Sequence, residues 1–526
     1  MTETPPVRNP PPAPEAGNNQ TEVFAVHGAD PEVLAYAMAK YSRSALSMKE
    51  SLREISSQRA EQFLNTFYFQ YGHRSIADLA HVAFAVERLS LLAAIVLVDE
   101  QRWDGQERST RYQNFRKSGW YMPDFGADAE AASRYRATIE QLFAAYHTVF
   151  EAVFASLRNQ VPKPEEMKQE TYDRTLKARA FDVARYLLPL ATNTSLGQIV
   201  NARTLETQIS RLLSSPVAEV RQLGEKLQAA AAGDAWNVHG ADLAALQREI
   251  AALDPGLGER AAALLTREVR TAPTLVKYAA PNDYQMRTRE ELRQAAAELL
   301  KDETIEPAPL VDLVDDADSL EVDLATTLLY GQCHYSYRQI RRHVAALSEG
   351  RRSELIDLGV RHRGRHDELL REFSAGQALR FDILMDVGGF RDMHRHRRCV
   401  QVLQGFTSAH GYAIPEGVPE AGVQSLYEET LRAAQTASAA LAQGSAPEAA
   451  ESAKYLLPLG TKIRALFKMD FAEALYISEL RSAPQGHFSY RRVAWEMYRA
   501  VERTHPALAK YFRATDADAP VDLLQR

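Results

Sequence analysis

Glu107, Ser109 and Arg111 sit in the stretch Gln106-Glu107-Arg108-Ser109-Thr110-Arg111-Tyr112, which packs a carboxylate, two aliphatic hydroxyls and two guanidiniums into a short space. In an extended segment Glu107, Ser109 and Arg111 alternate onto one side, offering an acceptor, a rotatable hydroxyl and a planar cation. That set suits a small, flat, anionic ligand such as a nucleotide. A solvated loop with one internal salt bridge is the other reading of the same residues. A second concentration of chemistry lies far downstream, in Arg391-Asp392-Met393-His394-Arg395-His396-Arg397-Arg398. His394 and His396 have no carboxylate or thiolate at ligand spacing, so a metal site is not expected. A nucleic-acid patch would lack aromatic interleaving and would sit in an acidic protein. A phosphate or flavin site fits better, because arginine supplies forked donors and histidine hydrogen-bonds or stacks on a ring. A further Arg361-His362-Arg363 reads as a solvated helix end.

Positioning such residues takes more than one folded unit. At 526 residues the chain exceeds one ordinary core, and its composition is that of a globular protein. A net charge of -7 gives no global attraction to nucleic acid or anionic membrane, so any anion site must be local. Cys333 and Cys399 stand far apart, which argues against a disulfide scaffold and fits a reducing cytoplasm. Met1–Gln20 lacks a basic region followed by an apolar one and reads as a disordered tail rather than a signal peptide. The apolar run Leu89–Val98 is too short to span a bilayer and is expected to be a buried helix or strand.

Ser75 and Asp78 have capping-box spacing and open the first helical pattern, which continues through Val86 towards Val98. Further helices are expected over Ala131–Leu157, Lys177–Leu188 (stopped by Pro189), Ile199–Gln228 (broken at Pro216) and Leu243–Val269 (interrupted at Pro255-Gly256). The pattern weakens over Leu275–Leu310, around a charged helix Thr288–Asp302, and the domain junction is placed there. Beyond it the chain repeats itself. Arg185-Tyr186-Leu187-Leu188-Pro189-Leu190 returns as Lys454-Tyr455-Leu456-Leu457-Pro458-Leu459, and Ser214-Ser215-Pro216 is echoed by Ser482-Ala483-Pro484. A duplication of this long period means two similar domains, not a solenoid.

Together these residues resemble the flavin-dependent thymidylate synthases. That family's signature is Arg-His-Arg followed by a Glu-x-Ser-x-Arg-Tyr segment, preceded by a His-x-Ser/Thr-x-x-Glu turn and followed by Ala-Arg-x-x-Leu-Pro and Asn-x-Arg-x-Leu. In the first half, Gly72-His73-Arg74-Ser75-Ile76-Ala77-Asp78 matches the turn with Asp for Glu, and Glu107-Arg108-Ser109-Thr110-Arg111-Tyr112 matches the serine segment in full. Ala184-Arg185-Tyr186-Leu187-Leu188-Pro189 and Asn201-Ala202-Arg203-Thr204-Leu205 match as well, with Arg211 at the final arginine. Asp99-Glu100-Gln101 stands where Arg-His-Arg should be. The second half keeps Arg395-His396-Arg397 and Arg481 but has Gly405 at the serine position and Lys454 for the first later arginine.

The resemblance implies an α/β, helix-rich fold of two tandem domains, each an antiparallel sheet packed with long helices. The expected organisation is a tail over 1–21, a first domain over 22–255, a helical linker over 256–309, a second domain over 310–513 and a tail over 514–526. Family active sites lie between subunits of a homotetramer. A fused pair with complementary pieces would then build a composite site, and a dimer of such chains would imitate the tetramer. The implied reaction is FAD-dependent methylation of dUMP to dTMP with methylene-tetrahydrofolate and NADPH. A homologue that binds nucleotide or flavin without catalysis is the alternative. Nucleotide contacts fall to Glu107, Ser109, Arg111, Arg185, Arg211 and Arg395. Arg185 and Arg211 would hold the phosphate, Arg111 and Arg395 would stabilise charge on the uracil oxygens, and Ser109 would position the base. FAD contacts fall to His73, Ser75, Asp78, Gln106, Arg203, His396 and Arg397. No metal, nucleic-acid or membrane partner is expected, and the expected location is the cytoplasm.

Overall fold

The structure, a computed structural model, describes residues 28–41, 74–111, 115, 119–314, 320–364, 367, 370–373, 379–446, 448–509 and 512–524. The Pro-rich tail, His73, Tyr112 and the side chain of Ser75 lie outside what is described.

The first half opens with α1 (Pro31–Tyr41) and a 3-10 turn over Arg74–Leu79, and continues into strand β1 (His81–Ser90) and helix α2 (Leu91–Leu97). The helical pattern expected from Ser75 through Val86 is therefore a single tight turn followed by a strand. β1 pairs along its length with a later strand, and that ladder overrides the local pattern. The run Leu89–Val98 divides at Ser90, whose hydroxyl accepts from the Ala93 amide and caps α2. Arg88 has a φ of 59° at a break in the ladder between Glu87 and Leu89, a bulge that ends the regular strand before the helix begins.

Then follow β2 (Asp104–Glu107), the long α3 (Ala129–Gln160), α4 (Gln169–Ala184) and a 3-10 turn Arg185–Leu187 that ends before Pro189. Strand β3 (Asn193–Asn201) leads into α5 (Ala202–Leu213), capped by Asn201, and α6 (Ala218–Ala232). The three strands form an antiparallel sheet in the order β1-β3-β2. A hairpin of α7 (Gly240–Leu253) and α8 (Pro255–Leu265), split where Asp254 caps the second helix, precedes α9 (Asp283–Leu299).

The second half repeats the plan. β4 (Val311–Leu313), α10 (Leu320–Tyr330), α11 (Tyr337–Ala346) and α12 (Glu349–Val360) lead to β5 (Leu379–Asp386), α13 (Val387–Met393) and β6 (Val400–Leu403). The helices α14 (Gln424–Ala442) and α15 (Ala449–Ala453) precede a 3-10 turn Lys454–Leu456, β7 (Lys462–Met469), α16 (Phe471–Ser482), α17 (Phe488–Thr504) and the short α18 (Pro506–Ala509). Its antiparallel sheet runs β4-β5-β7-β6. Each half thus carries strand, short helix, strand, long helix, Leu-Leu-Pro-Leu turn, strand and two helices, in that order.

The duplicated turns meet each other. Pro189 and Pro458 form an antiparallel bridge, Leu190 N–H donates to the Leu457 carbonyl (2.9 Å), and Leu459 N–H donates to the Leu188 carbonyl (2.9 Å). Identical segments pairing antiparallel place a local two-fold axis between the halves. One apolar core runs across it, from Leu91, Tyr146 and Phe181 to Phe381, Tyr427 and Phe467. A second cluster packs α9, α10 and α11 against the outer face of the second sheet, so α9 belongs to the second half's helical layer. Among the described residues no helix is long and apolar enough to cross a membrane.

Candidate active site between the two halves

β2 hydrogen-bonds to β3 at the sheet edge, with Gly105 opposite Gln198. A Cβ at Gly105 would lie 2.4 Å from the Gly197 carbonyl oxygen and 2.5 Å from the Trp103 ring, so only glycine lets this strand close. The strand ends at Glu107 and the chain turns at Thr110–Arg111. The expected alternation of Glu107, Ser109 and Arg111 on one face is therefore cut short. The Ser109 hydroxyl accepts from the Arg111 amide (3.2 Å) within the turn. Glu107 and Arg111 find different partners.

Those partners come largely from the second half. α13, capped by the Asp386 carboxylate on the Gly389 amide, projects Arg391 onto Glu107 at 2.5 Å, with both side chains under a tenth exposed. Arg111 donates from Nε to Asp182 on α4 (2.8 Å) and from Nη1 to the Tyr490 hydroxyl on α17 (3.1 Å). Burial opposes its charge, but Asp182 outweighs burial and holds the guanidinium well above its ordinary value. Arg185, 2% exposed, donates to the Thr110 hydroxyl (3.1 Å) and has Asp392 at 3.9 Å, while its Nε and Nη2 find no hydrogen-bond partner. The two halves of the signature meet within one chain.

The Arg-His-Arg segment lies in the turn after α13. Arg395 is exposed, whereas His396 is buried. His396 Nε2 accepts from Arg481 Nε (2.8 Å), which places the ring proton on Nδ1, 3.4 Å from Glu473. Burial, reinforced by Arg481, pushes the His396 pKa down, with Glu473 opposing. Arg397 lies 5.3 Å over the Trp103 ring, its Nη2 is buried without a partner, and burial lowers its pKa against the pull of Asp99 and Glu107.

Other expected site residues fall elsewhere. Arg211 is not brought to the Glu107–Arg391 cluster; it pairs with Glu100 at 2.8 Å, one of the acids standing in the lost Arg-His-Arg position. Arg481, its counterpart in the second half, reaches His396 and lies 5.4 Å from the Tyr490 ring beneath Arg111. Each arginine stays with its own half, and it is Tyr490, on the helix that follows Arg481, that crosses to Arg111 of the first half. Arg203 is 3.5 Å from Asp78, which also has Arg102 at 3.4 Å. Gln106 is exposed on the edge strand. Asp99 takes Arg371 at 2.5 Å and His394 at 3.7 Å. Burial raises the Asp99 pKa, but these cations and Arg211 outweigh it and hold the carboxyl well below the usual range.

Asp182 and Tyr490 carry no local pattern that marks them as site residues, whereas Arg391 and Asp392 open the basic stretch without being assigned a role there. One motif was legible and missed. His334-Tyr335-Ser336-Tyr337-Arg338-Gln339 repeats the His-x-Ser-x-x-acid turn with Gln at the last position, and Ser336 and Gln339 form a full capping box on α11. It is the second-half counterpart of His73-Arg74-Ser75. Among the described residues no group of three or more His, Cys, Asp or Glu could hold a metal ion.

A duplicated helix-and-antiparallel-sheet unit, with complementary halves of one signature joined across a local two-fold, defines the class. The chain belongs to the family of flavin-dependent thymidylate synthases, whose model, described as Thymidylate synthase complementing protein, matches residues 24–232 and 310–507. Over nearly its whole length it is similar to the UPF0159 proteins of Chlamydia muridarum (27% identity, 95% of this chain and 93% of the relative) and Thermoplasma acidophilum (26%, 93% and 96%). The flavin-dependent thymidylate synthase of Clostridium tetani is 25% identical over 38% of this chain and 81% of its own. Among solved structures, the flavin-dependent thymidylate synthase ThyX of Helicobacter pylori, complexed with FAD and dUMP, aligns over 40% of this chain and 92% of its own at 16% identity, with a TM-score of 0.26. The UMP/dUMP methylase PolB of Streptomyces cacaoi, bound with 5-Br dUMP, aligns over 45% and 92% at 15% identity and the same TM-score.

Proposed function

We propose that the chain is a flavin-dependent thymidylate synthase with one composite site per chain, methylating dUMP or a close uridine nucleotide with methylene-tetrahydrofolate and NADPH. The observation that carries this reading is the Arg391–Glu107 contact at 2.5 Å, which brings the retained serine segment of one half against the Arg-His-Arg turn of the other. Orphaned guanidinium N–H groups fit anionic ligands: Arg185 Nε and Nη2, Arg391 Nε and Arg397 Nη2 are buried donors without acceptors. Arg185 would take phosphate oxygens in forked hydrogen bonds. Arg111 and the exposed Arg395 would stabilise negative charge on the uracil oxygens, and Ser109 would position the base.

Arg397, over the Trp103 ring, would hold FAD from the second half, with the His396 ring fixed beside it by Arg481 and Glu473, and Gln106, Arg203 and the Asp78 carboxylate would hold it from the first. When bound it would supply the redox chemistry, and the protein would supply position and charge. The protein's carboxylates set the electrostatics: Asp182 and Asp392 beside Arg111 and Arg185 reduce the positive charge a dianionic nucleotide meets.

The test is direct. Purified protein is expected to carry or take up FAD, seen as a visible flavin absorbance, and to support growth of a thymidine-requiring strain. Arg395→Ala is expected to abolish both rescue and dUMP binding. Flavin binding without rescue would favour a non-catalytic nucleotide-binding homologue. Colourless protein with no affinity for FAD would overturn the synthase reading.

A further inference from the structure

The hairpin of α7 and α8 lies between the two family-matched regions and belongs to neither duplicated unit. α7 buries none of its residues, and α8 buries only Gly258. The hairpin is nevertheless pinned at both ends. At its base Ala235 N–H donates to the Val269 carbonyl (2.8 Å), Asp234 and Arg270 form an antiparallel bridge, and Arg267 pairs with Asp30 at 2.7 Å. At its tip the Asp254 carboxylate accepts from the Gly256 and Leu257 amides.

Inside the hairpin the helices meet through small residues. A Cβ at Gly258 would lie 2.4 Å from the Ala251 Cα, and Gln247 Nε2 donates to the Gly258 carbonyl (3.3 Å). The contact line therefore runs along Gln247 and Ala251 on α7 and past Gly258 on α8. At about 100° per residue, Leu246, Ile250 and Leu253 fall roughly 100–160° round α7 from Ala251, and Leu257 and Leu264 fall roughly 100–120° round α8 from Gly258, in the same sense. Rotation in the same sense on two antiparallel helices points to the same side, so both stripes lie on one face of the hairpin. Leu243, Leu246, Ile250 and Leu253 recur at steps of three, four and three, the spacing of a coiled-coil seam. Yet Leu253 is 88% exposed, Leu264 80%, Leu257 48% and Leu246 46%. The open apolar surface is roughly 500 Å², which matches the apolar share, about 60%, of the roughly 800 Å² that each partner gives to a standard interface.

We propose that this face is a self-association surface, on which two chains pack their hairpins across a two-fold axis into a four-helix bundle. Each stripe repeats at seven residues, Leu246 to Leu253 and Leu257 to Leu264, so the face carries equal rows that fit a copy of itself, as an isologous contact requires. Its edges are complementary as well. Glu249 on the outer edge of α7 and Arg260 on the outer edge of α8 both stand two residues from the Ala251–Gly258 contact, so stacking α7 on the other copy's α8 brings opposite charges level. Other occupants fit less well. Six carboxylates against four arginines over 234–270 disfavour an anionic membrane surface. No charged side chain stands between the two stripes to select an unlike partner. The inference rests on the hairpin alone and not on the synthase reading.

Light scattering on the eluting full chain, over a dilution series, tests it. A two-chain species is expected. Leu253→Glu with Leu264→Glu is expected to raise the dissociation constant about a hundredfold or more, because two charges would face an apolar surface. Both side chains are exposed in the single chain, so far-UV circular dichroism is expected to keep the native helix content. Ala252→Glu with Ala263→Glu adds the same charge to exposed positions on the opposite face and is expected to leave the mass unchanged. A single-chain species in the unsubstituted protein, a leucine double variant that keeps its mass, or an alanine double variant that loses it as well would each overturn the proposal.

Discussion

Arg111 shows how one side chain is tuned by residues far from it in sequence. The local pattern supplies a guanidinium two residues after a serine. The fold then places Asp182 at 2.8 Å and Tyr490 at 3.1 Å around it. Asp182 is itself buried, so it competes directly with any anionic ligand for the same donors. Asp182→Asn keeps an acceptor and removes the charge. The expected outcome, measured by calorimetry, is about tenfold tighter dUMP binding, the scale of one charge-assisted hydrogen bond. Unchanged affinity would mean that Arg111 does not meet the nucleotide. The types Glu107, Ser109 and Arg111 were readable in order. Their orientation was not, because the strand stops at Glu107 and the turn that follows sends the next side chains elsewhere.

At the scale of elements, the two halves share a buried lock with its parts exchanged. In the first, the Ser90 hydroxyl caps α2 and donates to Glu219 on α6 (2.6 Å), which also accepts from Tyr455 of the opposite half (2.7 Å). In the second, Asp386 caps α13 and accepts from the Ser489 hydroxyl on α17, with Tyr186 of the opposite half beside it. Hydroxyl and carboxylate have traded places while the contact survives. Burial raises the pKa of both carboxyls, so each depends on its hydroxyl partners. Ser90→Asp or Glu219→Ser alone is expected to cost about 2–3 kcal/mol in urea unfolding, from two facing acids or a lost acceptor. The double variant reproduces the second-half arrangement and is expected to recover most of that loss. Additive losses would show that the two triads are not equivalent. Helix ends at Pro189, Pro216 and Pro255 were legible because proline acts locally. The strand His81–Ser90 was not, because its state is set by a partner more than a hundred residues away.

Across the whole molecule, duplication has produced two unlike side-chain clusters from one plan. One joins Glu107, Arg111 and Arg185 to Arg391, His396, Arg397 and Arg481. The other has Asp99, Glu100, Gly405 and Lys454 in the corresponding places and opens into a cavity of about 870 Å³. Contacts such as Arg391–Glu107 and the Pro189–Pro458 bridge join the two halves within a single chain, and on the proposed reading one chain carries the whole first site. Arg111→Ala and Arg395→Ala chains expressed together in a thymidine-requiring strain are therefore expected not to rescue growth. Rescue would mean that the working site forms between chains.

The sequence by itself determined the family, the duplication and the division of the signature between the halves, because motif residues keep their identity and order wherever the chain goes. Tertiary structure alone decided that the complementary pieces meet, that Arg481 rather than Arg211 joins them, and that Arg211 and Arg371 are paired with the acids Glu100 and Asp99. Those outcomes depend on which side chains a two-fold arrangement of distant elements brings within hydrogen-bond reach, and no local pattern carries that information.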